Sequence, residues 1–167
     1  AAKAELTKAA ELLVNKADKT ELTQAKEALS TLATEADPTT GKTADSAKAY
    51  NDAKTDAQEA IKTAETVIND ENATPEQVTA ALNKVNEKKT ALQQAKDGLI
   101  EAATVEEKAK LKSDADLLTK ADETGKTPDS IAAYEIKYEE LKAQLEAAKA
   151  EAAKVLAKGN NATKEEV

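Results

Sequence analysis

The sequence predicts an all-α protein built from elongated tandem three-helix bundles. Its 167 residues are rich in Ala, Glu, Lys, Leu and Gln, which are strong helix formers. Only four Gly and three Pro interrupt them, and aromatic residues make up 2%, which argues against an extended sheet. Two ten-residue stretches that share seven residues stand 84 positions apart, at 41–50 and 125–134, which indicates an internal repeat.

The first helix of the repeat is predicted over residues 19–36. Asp18 with Glu21 forms a weak version of the capping box that starts many helices. The apolar residues recur at intervals of three and four, as they do on the buried face of a packed helix. They are Leu22, Ala25, Leu29, Leu32 and Ala36.

Helix two is predicted over residues 44–69, directly after a Gly-Lys-Thr turn. Gly41 is expected to turn the chain, and Thr43 is expected to cap the helix. The apolar face of this helix is predicted to consist of Tyr50, Ala53, Ala57, Ala60, Ala64 and Val67.

Helix three is predicted over residues 75–100. The stretch 74–77 is a capping box with Pro at the first helical position. Residues 104–107 and 163–166 have the same capping-box form, so they mark two further helix starts. The apolar face of helix three is predicted to hold Val78, Ala81, Val85, Leu92, Ala95 and Leu99.

A second copy of helix two follows the second Gly-Lys-Thr turn. Gly125 is again expected to turn the chain, and Thr127 is again expected to cap the helix. The apolar positions of this helix also alternate by three and four, which predicts a seam between packed helices. They are Ile131, Tyr134, Tyr138, Leu141, Leu145, Ala148, Ala152 and Val155.

These elements divide the chain into three parts. Residues 1–17 are interpreted as the tail helix of a preceding module or as an extension of helix one, because residues 4–9 resemble residues 90–95. Residues 18–103 are interpreted as one complete module, and 104–167 as helices one and two and the start of helix three of the next. The seams predict left-handed, coiled-coil-like packing in rod-like modules. Helix three is expected to run almost directly into the next helix one.

The composition excludes several classes of chemistry. Without His or Cys, the chain has no imidazole base, no thiol nucleophile and no ordinary zinc ligand set. All 24 basic residues are Lys and the net charge is -8, so nucleic-acid binding is not expected. No apolar run reaches the roughly 20 residues of a membrane span. The sequence therefore predicts neither an enzyme, nor a cofactor, nor membrane insertion.

The two Gly-Lys-Thr turns also match the end of a phosphate-binding loop. That loop needs a second Gly five residues upstream, and it lies between a strand and a helix. Ala36 and Lys120 occupy the two upstream positions, and both lie in stretches predicted to be helical. The turns are therefore interpreted as structural.

The remaining polar and aromatic candidates have structural explanations as well. Tyr50 and Tyr134 occupy equivalent repeat positions on the apolar face, and Tyr138 follows one turn later. They are interpreted as core or boundary residues, with ligand contact as the alternative. Asp114 and Asp116 form a D-x-D pair in a helical stretch that lacks the Gly of a calcium loop.

Ile136 is the candidate partner-binding residue. It lies two positions from both Tyr134 and Tyr138, so it is expected to point away from the apolar seam. An exposed apolar residue of this kind is a feature of interaction surfaces. Its counterpart in the first module is Asp52, so the two copies do not share the patch. Contact with a neighbouring module is the simpler explanation.

The ordered set of motifs resembles the FIVAR module. That family shows a Lys-x-x-Leu start, a Thr-x-x-Ser-x-x-x-Tyr second helix and an Asn-Ala-Thr start to the third. Here the second motif is Thr43, Ser46 and Tyr50, and the third begins at Asn72. Ala47 stands beside Ser46, where FIVAR modules often carry an aromatic residue. The paired Ala-rich copies also resemble the streptococcal surface repeat (SSURE) of pneumococcal adhesins.

The resemblance implies three-helix bundles in secreted or cell-wall-anchored surface proteins of Gram-positive bacteria. SSURE is associated with binding fibronectin and plasminogen. The expected function is therefore an adhesive repeat that binds a host extracellular-matrix protein, with fibronectin first and plasminogen second. The alternative is a passive stalk that projects a distal domain from the cell wall. The resemblance identifies no binding residue.

Overall fold

The structure, a computed structural model of the chain, describes residues 2–11 and 16–167. Within these ranges the chain forms α-helices and one 3-10 turn, Gly159–Asn161. The helices are α1 (Ala2–Glu11), α2 (Thr20–Ala33), α3 (Ala44–Asn69), α4 (Pro75–Asp97), α5 (Val105–Asp116) and α6 (Pro128–Ala157). β-pairing among the described residues consists of two isolated bridges. The predicted all-α class is confirmed.

Two of the predicted capping boxes are present in full. The Thr74 hydroxyl accepts from the Gln77 N–H at 3.3 Å, and the Gln77 side chain accepts from the Thr74 N–H at 2.8 Å. Thr104 and Glu107 form the same reciprocal pair at 3.1 and 2.8 Å. Four N–H groups that the first turns of α4 and α5 cannot satisfy internally are thereby bonded.

Three other predicted helix starts differ in detail. The Asp18 carboxylate accepts from the Thr20 N–H at 2.9 Å in a local turn, so Lys19 becomes the N-cap and the predicted cap at Asp18 is wrong. Thr127 occupies the N-cap of α6, but its hydroxyl donates to the Ser130 hydroxyl and caps no N–H. At the third start, residues 164–166 form a turn and no helix.

Residues 1–40 and 46–99 form the first compact unit. In it α2 packs against α4, and α3 adds Tyr50 and three alanines to the same core. The predicted apolar faces of the three helices all contribute to this core except Ala36, which is exposed beyond the end of α2. The large, fully buried side chains of the core are Tyr50, Leu22, Leu29, Leu92 and Val85.

Residues 41–45 and 100–167 form the second unit. Here α5 packs against α6, and the core is small: Ala103, Val155 and Ala162 are buried, with Leu111 and Val167 beside them. Of the predicted apolar seam of α6, the structure buries Ala152 and Val155 alone, at the C-terminal end. The part of the seam nearer the N-terminus of α6 is exposed or half-buried. The reason is that α5, which packs against α6, already ends at Asp116.

Three short extended segments bond to one another inside the second unit. The Thr43 N–H donates to the Ile100 carbonyl at 2.8 Å, and the Ala102 N–H donates to the Gly41 carbonyl at 2.9 Å. On the other side, the Ala103 N–H donates to the Ala162 carbonyl at 2.8 Å. We call the segments 41–43, 100–103 and 162–164 the ladder.

The ladder explains why one prediction of helix continuity is wrong. Helix three was expected to run almost directly into the next helix, yet seven residues, 98–104, separate α4 from α5. Gly98 ends α4, and the backbone of 100–103 bonds to the two outer segments of the ladder. These backbone groups therefore have hydrogen-bond partners outside any helix.

Replacing Leu92 tests how far the core of the first unit depends on α4. The side chain is fully buried, so Leu92→Ala is expected to lower the free energy of unfolding of the first unit by about 2–5 kcal/mol, measured by urea denaturation. Leu6 holds the matching repeat position but is 72% exposed, so Leu6→Ala is the matched control, with an expected change within about 0.5 kcal/mol. Equal effects of the two substitutions would contradict this account of the core.

The ladder also contains an ion pair whose contribution to stability depends on pH. Lys42 bonds to Glu101 and holds the pKa of that carboxyl below its ordinary 4.5. The pKa of Glu101 is lower in the folded state than in the unfolded state. The pair's contribution to the free energy of unfolding is therefore present above about pH 4.5 and is lost as the pH falls through the folded-state pKa. Lys42→Ala is expected to return the Glu101 pKa toward 4.5, measured by NMR titration. Lys126→Ala, in the second Gly-Lys-Thr turn, is the control and should leave it unchanged.

Candidate binding surface

The longest helix of the second unit, α6, presents side chains on several sides. Its 30 residues begin with Pro128 at the first helical position and contain no further Pro and no Gly. Asp129 lies in the first turn, where a negative charge interacts favourably with the helix dipole. Few of its side chains are buried, so most of the helix surface is available for contacts.

The tyrosines lie on one side of α6. The rings of Tyr134 and Tyr138 stack with centroids 6.0 Å apart and an angle of 27° between their planes. The Tyr134 hydroxyl accepts from the Ala121 N–H at 2.7 Å, which ties the helix to the loop before it. Both rings are half-buried, whereas Tyr50 in the first unit is buried. The interpretation of the tyrosines as core and boundary residues agrees with these positions.

A charged cluster lies beside the two rings. The Lys120 Nζ atom is 2.8 Å from the Glu123 carboxylate, pairs with Glu135 as well, and lies 5.9 Å from the centroid of the Tyr138 ring. The bonds to Glu123 and then Glu135 raise the pKa of Lys120, so this side chain stays protonated at any physiological pH. In turn, Lys120 lowers the pKa of Glu135. These contacts tie the loop to α6.

A cavity of about 230 Å³ opens beside the cluster. The loop 121–126 forms one wall, and Ile131 and Tyr134 of α6 form the other. It is open to solvent and mainly apolar, and a site of this kind can receive an apolar side chain from another helix.

Both Gly-Lys-Thr turns have a structural role. Gly41 and Gly125 have φ of 73°, a left-handed backbone that glycine adopts without strain. In the first copy the Thr43 N–H is bonded to a carbonyl and Lys42 is paired with Glu101, so neither is directed at a phosphate. The φ angles agree with the prediction that both glycines turn the chain, whereas the cap predicted at Thr127 is wrong.

The acidic D-x-D pair is likewise accounted for by local contacts. Asp114 lies 2.5 Å from Lys110 and Asp116 lies 2.6 Å from Lys112, one helical turn away in each case. Across residues 2–11 and 16–167, no cluster of three acidic, His or Cys side chains is placed to hold a metal ion. In the same ranges no helix is both long and apolar enough to cross a membrane.

Ile136 lies on the opposite side of α6 from the tyrosines and is 64% exposed. The helical neighbours one turn away are Ala132 and Ala133 before it and two glutamates after it. Both glutamates, Glu139 and Glu140, are paired with lysines of the same helix. The result is a small apolar patch with a charged border, which we call the Ile136 patch. At the matching position of the first unit, Asp52 pairs with Lys48 at 2.5 Å.

Sequence reasoning did not identify two side chains that organise the second unit. In the sequence, Lys120 is marked only by standing where a phosphate-binding loop would have its first Gly, yet its side chain joins the loop to α6. Asn161 begins a second Asn-Ala-Thr stretch in the sequence, and its side-chain oxygen accepts from the Asp45 N–H at 2.9 Å, across 116 positions. No local signal could have revealed either contact, because both depend on how distant segments meet.

Comparison with known proteins supports the motif-based resemblance. The FIVAR domain model matches residues 25–93 and 104–167. The chain is 32% identical over 129 residues to "Extracellular matrix-binding protein EbhB" of Staphylococcus aureus strain N315, and 33% identical to the same-named protein of strain Newman. It is also 33% identical to "Extracellular matrix-binding protein ebh" of strain NCTC 8325.

The aligned region covers 77% of this chain but only 1–3% of those very large proteins. No solved structure gave a significant match. Two successive copies of one domain model thus account for most of the chain, and each copy contains one of the two Gly-Lys-Thr turns. The chain belongs to the FIVAR domain family.

Proposed function

We propose that this chain is a repeat segment of a bacterial surface adhesin that binds a host extracellular-matrix protein. The observation that supports it most directly is the similarity over 77% of the chain to staphylococcal proteins named as extracellular matrix-binding. Fibronectin is the first proposed partner and plasminogen the second. The proposed location is the outer, cell-wall-anchored surface of a Gram-positive bacterium.

The proposal includes an organisation of the chain into modules. Residues 18–103 act as one complete module, 104–167 as part of the next, and 1–17 as the tail helix of a preceding one. Each module presents helix surfaces rather than a deep pocket, so binding occurs through side chains spread along a face. Several modules in tandem then raise the overall affinity through avidity, even where each contact is weak. No catalytic role is part of the proposal.

The Ile136 patch is the proposed contact point. Its isoleucine is largely exposed, and the alanines one turn before it allow a partner to approach the helix closely. A central apolar residue surrounded by polar ones is the usual anatomy of a small interface. The paired glutamates at its border favour a partner surface that carries Lys or Arg beside an apolar residue.

A passive stalk is the competing function. The specific observation that favours it is the difference between Ile136 and Asp52, because a spacer needs no common patch on its copies. A repeat array can set a distance through contacts between successive units alone. The stalk and the adhesin differ in one measurable property, which is saturable binding of the isolated chain.

Binding to immobilised fibronectin and plasminogen at physiological salt tests the proposal. The chain is expected to bind one of them saturably, above a helical control of equal charge with scrambled sequence. Ile136→Asp is expected to weaken binding by about tenfold or more, because it places an unpaired charge at the centre of the contact. Val105→Asp removes a similarly exposed apolar side chain from α5 and should leave the affinity unchanged.

The reverse substitution gives a second readout. Asp52→Ile creates an apolar patch at the matching position of the first unit, and it is expected to increase apparent affinity on a dense fibronectin surface through avidity. Absence of saturable binding to both proteins, even for several copies joined in tandem, would leave the stalk as the better account. Binding that is equally sensitive to the Ile136 and Val105 substitutions would reject the patch and retain the adhesin.

A further inference from the structure

The segment that opens α3 belongs by its contacts to the second unit. Residues 41–45 cluster with 100–167, although the chain before them and after them belongs to the first unit. We call 41–45 the docked segment. It bonds to two stretches, 100–103 and 161–164, which we call the receiving segments. The docked segment contains the first Gly-Lys-Thr turn, and the later receiving segment contains an Asn-Ala-Thr stretch.

Two main-chain hydrogen bonds join the docked segment to the first receiving segment. The Thr43 N–H donates to the Ile100 carbonyl at 2.8 Å, and the Ala102 N–H donates to the Gly41 carbonyl at 2.9 Å. One bond runs in each direction, as between two antiparallel strands. Because the bonds use backbone atoms, they set the register of the docked segment without depending on its side chains.

Asn161 supplies a third bond, and that bond ends at the start of α3. Its side-chain oxygen accepts from the N–H of Asp45, a residue in the first turn of α3, at 2.9 Å. The first N–H groups of a helix have no acceptor inside the helix, so they are usually bonded by the side chain of a local N-cap residue. Asn161 thus provides for α3, from 116 positions away, what Thr74 provides locally for α4.

Each residue of the first Gly-Lys-Thr turn contributes a different feature to the contact. Gly41 supplies a left-handed backbone, with φ of 73°. Lys42 pairs with Glu101, whose carbonyl accepts from the Lys164 N–H at 3.1 Å, so Glu101 contacts the segments on both of its sides. Thr43 is buried, which restricts its position to a small residue. The docked segment is therefore recognised by backbone shape, charge and size.

The receiving segments depend on the core of the second unit. Ala103 and Ala162 are buried in one cluster with Val155 of α6, and Leu111 of α5 packs against that cluster. The Ala103 N–H also donates to the Ala162 carbonyl at 2.8 Å, which holds the two receiving segments together. Unfolding of α5 and α6 would remove this support, and the docked segment would lose its hydrogen-bond partners.

We propose that the second unit contains a binding site whose ligand is the docked segment, and that Asn161 is its recognition residue. Occupancy of this site couples formation of the first turn of α3 to folding of the second unit. The coupling is reciprocal, because a segment that binds only the folded form also stabilises that form. Both the Gly-Lys-Thr turn and the Asn-Ala-Thr stretch occur twice in the sequence, so the same pairing can recur between successive repeats.

Native-state hydrogen exchange of the full chain, followed by NMR, tests the inference through the amides of Thr43, Asp45 and Ala102. Leu111→Ala weakens the second core at a residue outside the ladder. It is expected to raise the exchange rates of all three amides by about tenfold, because these amides are released when the second unit unfolds. Leu117→Ala is the matched control. That side chain, at the end of α5, is 75% exposed, so the three rates should stay unchanged.

Substitutions at Asn161 separate recognition from general support by the core. Asn161→Ala removes the acceptor and is expected to raise the exchange rate of the Asp45 amide by about fivefold, the usual effect of a lost N-cap. Asn161→Asp keeps a side-chain oxygen, and a negative charge is favourable at a helix N-terminus, so it should retain the protection of Asp45. Asn72→Ala changes the exposed first residue of the other Asn-Ala-Thr stretch and should leave the Asp45 rate unchanged.

Three results would overturn the inference. If the three amides of the unmodified chain exchange as fast as unprotected loop amides, the docked segment is not bound in solution. If Leu111→Ala speeds exchange in α6 but leaves the three amides protected, the first unit alone holds the docked segment. If Asn161→Ala and Asn72→Ala have equal effects on Asp45, Asn161 is not the recognition residue. None of these results depends on whether the chain binds a matrix protein.

Discussion

The packing of a third helix against the other two is the interaction on which the rest of this structure depends. Most apolar residues of the chain are alanines, and an alanine side chain removes little area from water when it is buried. Two Ala-rich helices alone therefore gain little. In the first unit, α4 brings Leu92 and Val85 against α2 and α3, and the combined core buries Tyr50. In the second unit, the α6 residues that hold the repeat positions of the buried α3 residues are half-buried or exposed, as Tyr134 and Leu141 show.

The contrast between the two units separates the effect of local sequence from that of packing. α3 and α6 start after nearly identical turns, carry Tyr at the same place and form long uninterrupted helices. Their helical conformation follows from local propensity and the start signals alone. Burial differs because it depends on neighbouring helices. A residue such as Leu141 is therefore a core residue by its repeat position and a surface residue by its contacts.

Much of the fold could be predicted from local rules, and the exceptions have a common cause. The bounds of α3 and the boxes at Thr74 and Thr104 follow from residues within one helical turn. The ladder could not be predicted, because its bonds join segments about 60 or more positions apart and no strand pattern marks them. The Ile136 patch was predictable as an exposed position, since helical spacing alone sets its side of α6. The identity of a partner is not encoded in that spacing.

The ladder has a consequence for how the protein assembles. Residues 41–45 belong by their contacts to the second unit, although the chain on both sides of them belongs to the first. A helical protein usually folds quickly because its contacts are close in sequence, whereas the ladder joins Lys42 to Glu101 across 59 positions and Asp45 to Asn161 across 116. Its completion must wait until residues 161–164 have been synthesised. During synthesis from the N-terminus, the turn at Gly41 is therefore made long before its bonding partners exist.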